Sequence, residues 1–160
     1  MKPTVFASTL PRPDFKLRVS WLVLCGSIAL HVTDEATHNF LAVYNPSIVV
    51  LRERVPWLWL PVFTFRVWIA SLSIFIALLV LLGYFLARGA RWVRPIFYAI
   101  SLVMIANGVQ HTVGTILGRT VASVHFPRPM PGFYSSPVLI VASVYVLVQL
   151  CKTRQSSLQP

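Results

Sequence analysis

Four ionisable side chains, His31, Asp34, Glu35 and His38, crowd one short run inside an apolar stretch of the chain. The whole sequence holds four acidic residues, so half of its carboxyls fall in this run. At the middle of a membrane-spanning helix an aspartate costs about 2.5–3.5 kcal/mol, while each Leu, Ile, Phe or Val returns only about 0.3–0.6. Such a group inside a spanning segment marks a functional site by default. On a helix, His31, Glu35 and His38 fall at i, i+4 and i+7 on one face, and Asp34 lies one position round. Asn107 and His111 are again i and i+4, with Gln110 between them. The expected catalytic set is Asp34, Glu35, His31, His111 and Asn107, with His38 and Gln110 as further polar lining.

Two neighbouring carboxyls in a low-dielectric site do not both ionise, so one serves as acid and the other as base. That division suits epoxide opening by water or by an internal hydroxyl, which is the first expectation. Double-bond isomerisation and cationic cyclisation suit the same groups. The substrate is a lipophilic small molecule that enters from the bilayer, and no cofactor is required. An alternative uses His31, Glu35, His38 and His111 as ligands for zinc or iron. The spacing is not the His-Glu-x-x-His zinc pattern, and the expected metal content is none. A non-enzymatic binder of lipophilic ligands is the third class. Transport is disfavoured, because no internal repeat is visible.

These side chains must be held by a membrane-embedded scaffold. The chain has 160 residues, 56% of them hydrophobic and 11% charged, with a mean hydropathy of +0.72. A spanning helix needs about 20 mostly apolar residues. Stretches at about 19–44, 61–86, 93–117 and 133–151 qualify or nearly do. The expected fold is an all-α, polytopic transmembrane bundle of four helices, with tails over 1–18 and 152–160. The net charge of +10 does not imply nucleic acid, because the basic residues flank apolar segments instead of forming a face with interleaved aromatics. Lys2, Arg12, Lys16, Arg18, Arg88, Arg91, Arg94, Lys152 and Arg154 group on one side, against Arg52, Arg54, Arg66, Arg119 and Arg128. That asymmetry predicts both termini in the cytoplasm.

Local signals set the remaining expectations. Trp21 is expected at the membrane boundary, and the first helix is expected to end near Asn45-Pro46. The connector Ser47–Leu60, with Trp57 and Trp59, suits the headgroup region. The second helix has an aliphatic wall without titratable groups. Pro95 suits the first turn of the third helix, and Gly114 with Gly118 forms a small-xxx-small pair for close backbone approach. His125 is expected to be a solvated residue of the proline-rich loop 121–136, and Glu53 an exposed partner of its flanking arginines. Ser135 or Ser136 caps the last helix, with Pro137 in its first turn. Cys25 and Cys151 need no bridge in a reducing compartment.

His31-Val32-Thr33-Asp34-Glu35 resembles the signature of the HXXEE-domain family of small multi-pass membrane proteins. Asn107-Gly108-Val109-Gln110-His111 is similar to that family's Asn…His segment. Pro131-Gly132 followed by Ser135 and Ser136 is similar to its Pro-Gly turn before the final helix. Asp34 departs from the pattern, standing where the family has glutamate. The resemblance implies a polar site within the membrane and leaves the reaction type open.

Overall fold

The computed structural model describes residues 15–57 and 59–156; the tail residues 1–14 and 157–160, and Leu58, lie outside the described residues. The fold is all-α, with five helices: α1 Phe15–Thr37, α2 Leu41–Arg54, α3 Phe65–Ala87, α4 Val93–Leu117 and α5 Ser136–Ser156. Four of them, all but α2, are long and apolar enough to cross a membrane. The expected four-helix bundle is present, with α2 as an added short element.

The first apolar stretch does not run as one helix to Asn45-Pro46. It ends at Thr37, where Asn39 takes the left-handed conformation at φ 56°. Asparagine visits that region more readily than other residues with a side chain. The Phe40 N–H then donates to the Glu35 carbonyl at 3.0 Å, the six-to-one bond that closes a Schellman turn. The chain starts α2 at once and carries Pro46 inside it. Much of the expected connector is therefore helical. The Asn45 side chain clamps the next segment, donating to the Phe63 carbonyl at 2.9 Å and accepting from the Phe63 N–H at 3.0 Å. Trp57 and Trp59 are exposed beyond it, as a boundary segment requires.

Four cross-contacts define the bundle. Arg18 at the start of α1 donates to the Ala87 carbonyl at the end of α3, at 2.7 Å. Asp34 near the end of α1 bonds Ser135 just before α5. Gly108 of α4 lies against Ile140 and the Ser136 carbonyl of α5. Across the centre, Trp21 of α1 stacks on Phe97 of α4 with ring centroids 3.5 Å apart. Thus α1 and α4 run parallel and face each other diagonally, with α3 and α5 antiparallel between them.

Trp21 is a core residue and not a boundary residue. It is fully buried, and its indole N–H donates to the Leu79 carbonyl of α3 at 2.8 Å. An added Cβ on Gly83 would lie 2.9 Å from the indole, so glycine there opens the slot. Trp21→Phe keeps a six-membered ring on Phe97 but removes the pyrrole ring and its N–H from a fully buried slot. It is expected to cost about 2–3 kcal/mol, the lost hydrogen bond together with the void, read as a lowered unfolding midpoint in mild detergent.

The glycine pair also differs from expectation. Gly114 faces the Met130 sulfur, and Gly118 caps α4 at φ 67° beside the Arg128 guanidinium. Both seat the proline-rich loop; Gly108 is the one that admits a helix. α3 buries Trp68, Leu79 and Leu86 and packs Ile69, Leu72, Phe75, Ile76 and Leu82 partly against the core, while Val67, Ile74, Leu78, Val80 and Leu81 are exposed. His125 and Glu53 are exposed, and both cysteines are free, Cys25 buried and Cys151 exposed.

Candidate functional site

The parallel pairing of α1 and α4 brings the two polar stripes together below the Asn39 turn. His31, Asp34, Glu35 and His111 are all buried, and Asn107 is half-buried. Glu35 Oε1 lies 3.2 Å from His111 Nε2 and 3.6 Å from His31 Nε2. The two imidazoles meet edge-to-face with centroids 4.8 Å apart. Asn107 Nδ2 is 3.1 Å from His31 Nε2. The five residues expected to form the catalytic set are therefore in one assembly.

Two carboxyls one residue apart have different surroundings. Asp34 Oδ2 accepts from the Ser135 N–H at 2.9 Å and from the Ser135 hydroxyl at 2.7 Å. Its other oxygen lies 2.9 Å from His38 Nδ1. This places the carboxyl on the residue that immediately precedes α5, close to the N-terminal end of that helix. Asp34 is thus a satisfied anchor between helices. Among the described residues Glu35 has no backbone or hydroxyl donor of this kind, and its polar contacts are the imidazole nitrogens of His31 and His111.

Ser135 is the residue whose role was hidden in the sequence. It reads there as a helix cap, and it does stand just before α5 with its carbonyl accepting the Leu139 N–H, but its hydroxyl is turned to Asp34 and the Gly132 carbonyl. Its hydroxyl also lies 2.8 Å from His31 Nδ1, so one side chain joins Asp34 to His31. Gly132, at φ 86°, makes this approach possible. A Cβ there would stand 2.8 Å from the His31 ring and 2.9 Å from the His111 ring. The turn thus passes its backbone directly over both imidazoles, and Ser136 closes it by donating to the Gly132 carbonyl at 2.7 Å.

His38 touches the cluster only at its rim, through Asp34, and Gln110 does not join it. The Asn39 turn ends α1 before a further helical turn can present His38 beside Glu35, so its side chain is half exposed and reaches back to Asp34. Gln110 is exposed on a different side of α4, in a groove with Val109, Val113 and Arg119. It is next to His111 in sequence and therefore about a quarter-turn round the helix.

Beside Glu35 opens a cleft of about 340 Å³, at the junction of α1, α2 and α3. Its walls include the rings of Phe40, Phe63, Phe65 and Trp68, with Asn39 and Asn45 as polar points. Glu35 is the one titratable side chain on its lining. His111 backs that carboxyl from the interior. It is fully buried, its Nε2 lacks in-line hydrogen-bond geometry to Glu35, and its Nδ1 has no partner among the described residues.

One donor atom each from His31, Glu35 and His111 lies within 4.8 Å of the others, a spacing open to an ion such as zinc or iron. His38 does not complete that group. Asn107 Nδ2 lies 3.1 Å from His31 Nε2, so the carboxamide and a cation would compete for that nitrogen. In comparisons with known proteins, no family model, curated protein or solved structure matches this chain.

Proposed function

We propose that the protein is an integral-membrane enzyme that opens an epoxide on a lipophilic small molecule, using Glu35 as its proton-exchanging group. The observation that carries this reading is the double placement of Glu35. It is on the wall of an aromatic cleft and also within 3.6 Å of two buried imidazoles. Asp34, His31, His111 and Asn107 act through it as positioning residues, because none of them lines the cleft.

The chemistry follows from a single carboxyl at the substrate. Glu35 donates its proton to the ring oxygen as the ring C–O bond breaks. Water, or a hydroxyl of the substrate itself, forms the new C–O bond. With water, the proton released by the nucleophile returns to the Glu35 carboxylate. Positive charge develops on the ring carbon during opening. The faces of Phe40, Phe63, Phe65 and Trp68 stabilise it, each at about 0.5–2 kcal/mol for a well-placed cation. A double-bond isomerase would use the same carboxyl but would need no new C–O bond.

The test supplies the protein, in lipid nanodiscs, with long-chain epoxides in water enriched in oxygen-18. The expected product is a diol carrying the label, or a cyclic ether where the probe has an internal hydroxyl. Double-bond migration with no new C–O bond would overturn the epoxide assignment. Because the cluster is read as metal-free, chelator treatment is expected to leave turnover unchanged. Metal analysis of protein purified without a histidine tag is expected to find well under one equivalent of zinc or iron.

A further inference from the structure

Outside the cleft, His38, Asp34 and Ser135 form a connected group that proton exchange at Glu35 alone does not require. His38 is exposed at the end of the bundle, with its side chain about 48% accessible. Its Nδ1 donates to the Asp34 carbonyl at 2.8 Å and lies 2.9 Å from Asp34 Oδ1. Asp34 Oδ2 accepts the Ser135 hydroxyl at 2.7 Å, and that hydroxyl is 2.8 Å from His31 Nδ1. His31 Nε2 is 3.6 Å from Glu35 Oε1. Each of the first three links is at hydrogen-bond distance, and the last needs an approach of under about 1 Å, a common shortfall in a site without substrate.

We propose that His38, Asp34, Ser135 and His31 form a hydrogen-bonded path that returns a proton from the exposed end of the bundle to Glu35. The path rests on the reading of Glu35 as the proton donor. A hydrolysis returns its proton to Glu35 directly. A cyclisation does not, because the nucleophile's proton leaves the product at the far end of the substrate. The path thus favours epoxide-opening cyclisation, a reaction in which the donor must be reloaded from outside.

The transfer balances at every station. A proton on His38 passes to Asp34 Oδ1, the carboxyl turns about its Cβ–Cγ bond to carry that proton to the Ser135 side, and the proton passes to the Ser135 oxygen. The Ser135 hydroxyl proton moves to His31 Nδ1, and His31 Nε2 releases one to the Glu35 carboxylate. One proton enters and one arrives. Before transfer His31 carries its proton on Nε2, with the Asn107 carboxamide turned to present its oxygen; after transfer the proton sits on Nδ1 and the amide N–H faces Nε2. Rotation of the Ser135 hydroxyl and return of the His31 tautomer reset the chain. Serine is well suited to the middle position, since its hydroxyl both donates and accepts.

The test follows hydrogen–deuterium exchange of the Glu35 carboxyl by its infrared C=O band in nanodiscs, with Glu35→Gln identifying the band. Ser135→Ala is expected to slow exchange by roughly tenfold or more, and Ser135→Thr to restore it by returning the hydroxyl. His38→Leu changes an exposed side chain and leaves the core packing alone, so it guards against a folding defect in the serine variants. It is expected to slow exchange several-fold. Exchange as fast in Ser135→Ala and His38→Leu as in the unmodified protein overturns the path and leaves the Glu35 assignment standing. Full turnover of the epoxide probes by Glu35→Gln would instead overturn the assignment itself.

Discussion

Glu35→Gln is expected to reduce turnover by roughly 10²–10⁴-fold, the usual contribution of a positioned general acid or base. The carboxamide has nearly the same volume and can still lie between His111 and the cleft. It cannot donate a proton to an epoxide oxygen and recover it. Stability is expected to change little, because Glu35 makes no hydrogen bond to a backbone or hydroxyl donor that the fold depends on. Asp34→Asn is a useful contrast. It weakens the tie to the Ser135 N–H and hydroxyl just before α5, so it is expected to lower both stability and activity. Parallel measurement of unfolding midpoint and turnover separates the two carboxyls: activity alone falls at position 35, and both fall at position 34.

Gly132→Ala is expected to be the most disruptive small substitution in the chain. Its φ of 86° disfavours any residue with a Cβ, at about 1–2 kcal/mol. The added methyl would also stand 2.8–2.9 Å from atoms of both imidazoles. Crowding of this kind typically costs about 1–3 kcal/mol. The two effects act on one turn and together approach about 3 kcal/mol, enough to displace the 132–135 turn and break the Ser135 contacts. Gly26→Ala is the control. Nothing lies within 4 Å of a Cβ built there, and its backbone is helical, so alanine is expected to be neutral or stabilising by up to about 1 kcal/mol. Unfolding midpoints in the same detergent compare the pair directly, and loss of turnover is expected only at position 132.

Much of the scaffold was legible in the sequence because hydrocarbon imposes length and apolarity on each spanning segment. The stretches around 61–86, 93–117 and 133–151 correspond to α3, α4 and α5 within a few residues. The first stretch misled because its hydropathy continues past the true end of α1. The break depends on one left-handed residue, Asn39, and apolarity carries no trace of that dihedral angle. Placing His38 on the cluster's face failed for the same reason, since the i+7 relation exists only while the helix continues. Trp21 was misplaced because a boundary indole and a buried one look alike until a carbonyl partner and an open slot, Leu79 and Gly83, are in view.

The site's core was more legible than its support. His31, Glu35, Asn107 and His111 declared themselves by polar type at helical spacing in apolar stretches. Ser135 and Gly132 are common residues in a turn-rich loop, far from the cluster in sequence. Their roles arise only when α5 docks antiparallel to α1. The aromatic cleft was also invisible beforehand, since Phe40, Phe63, Phe65 and Trp68 come from three separate segments. Aromatic residues near a membrane boundary carry no signal that distinguishes a cleft wall from lipid contact.

The most direct measurement is modification of the nanodisc-embedded protein with a lipophilic carbodiimide, followed by peptide mapping. Carbodiimides add to protonated carboxyls, and an apolar reagent reaches only those open to the bilayer or to an apolar cleft. The account predicts labelling at Glu35, suppression by long-chain epoxides that occupy the cleft, and loss of the adduct in Glu35→Gln. Labelling of Asp34 with Glu35 untouched, or no labelling of either, would contradict it.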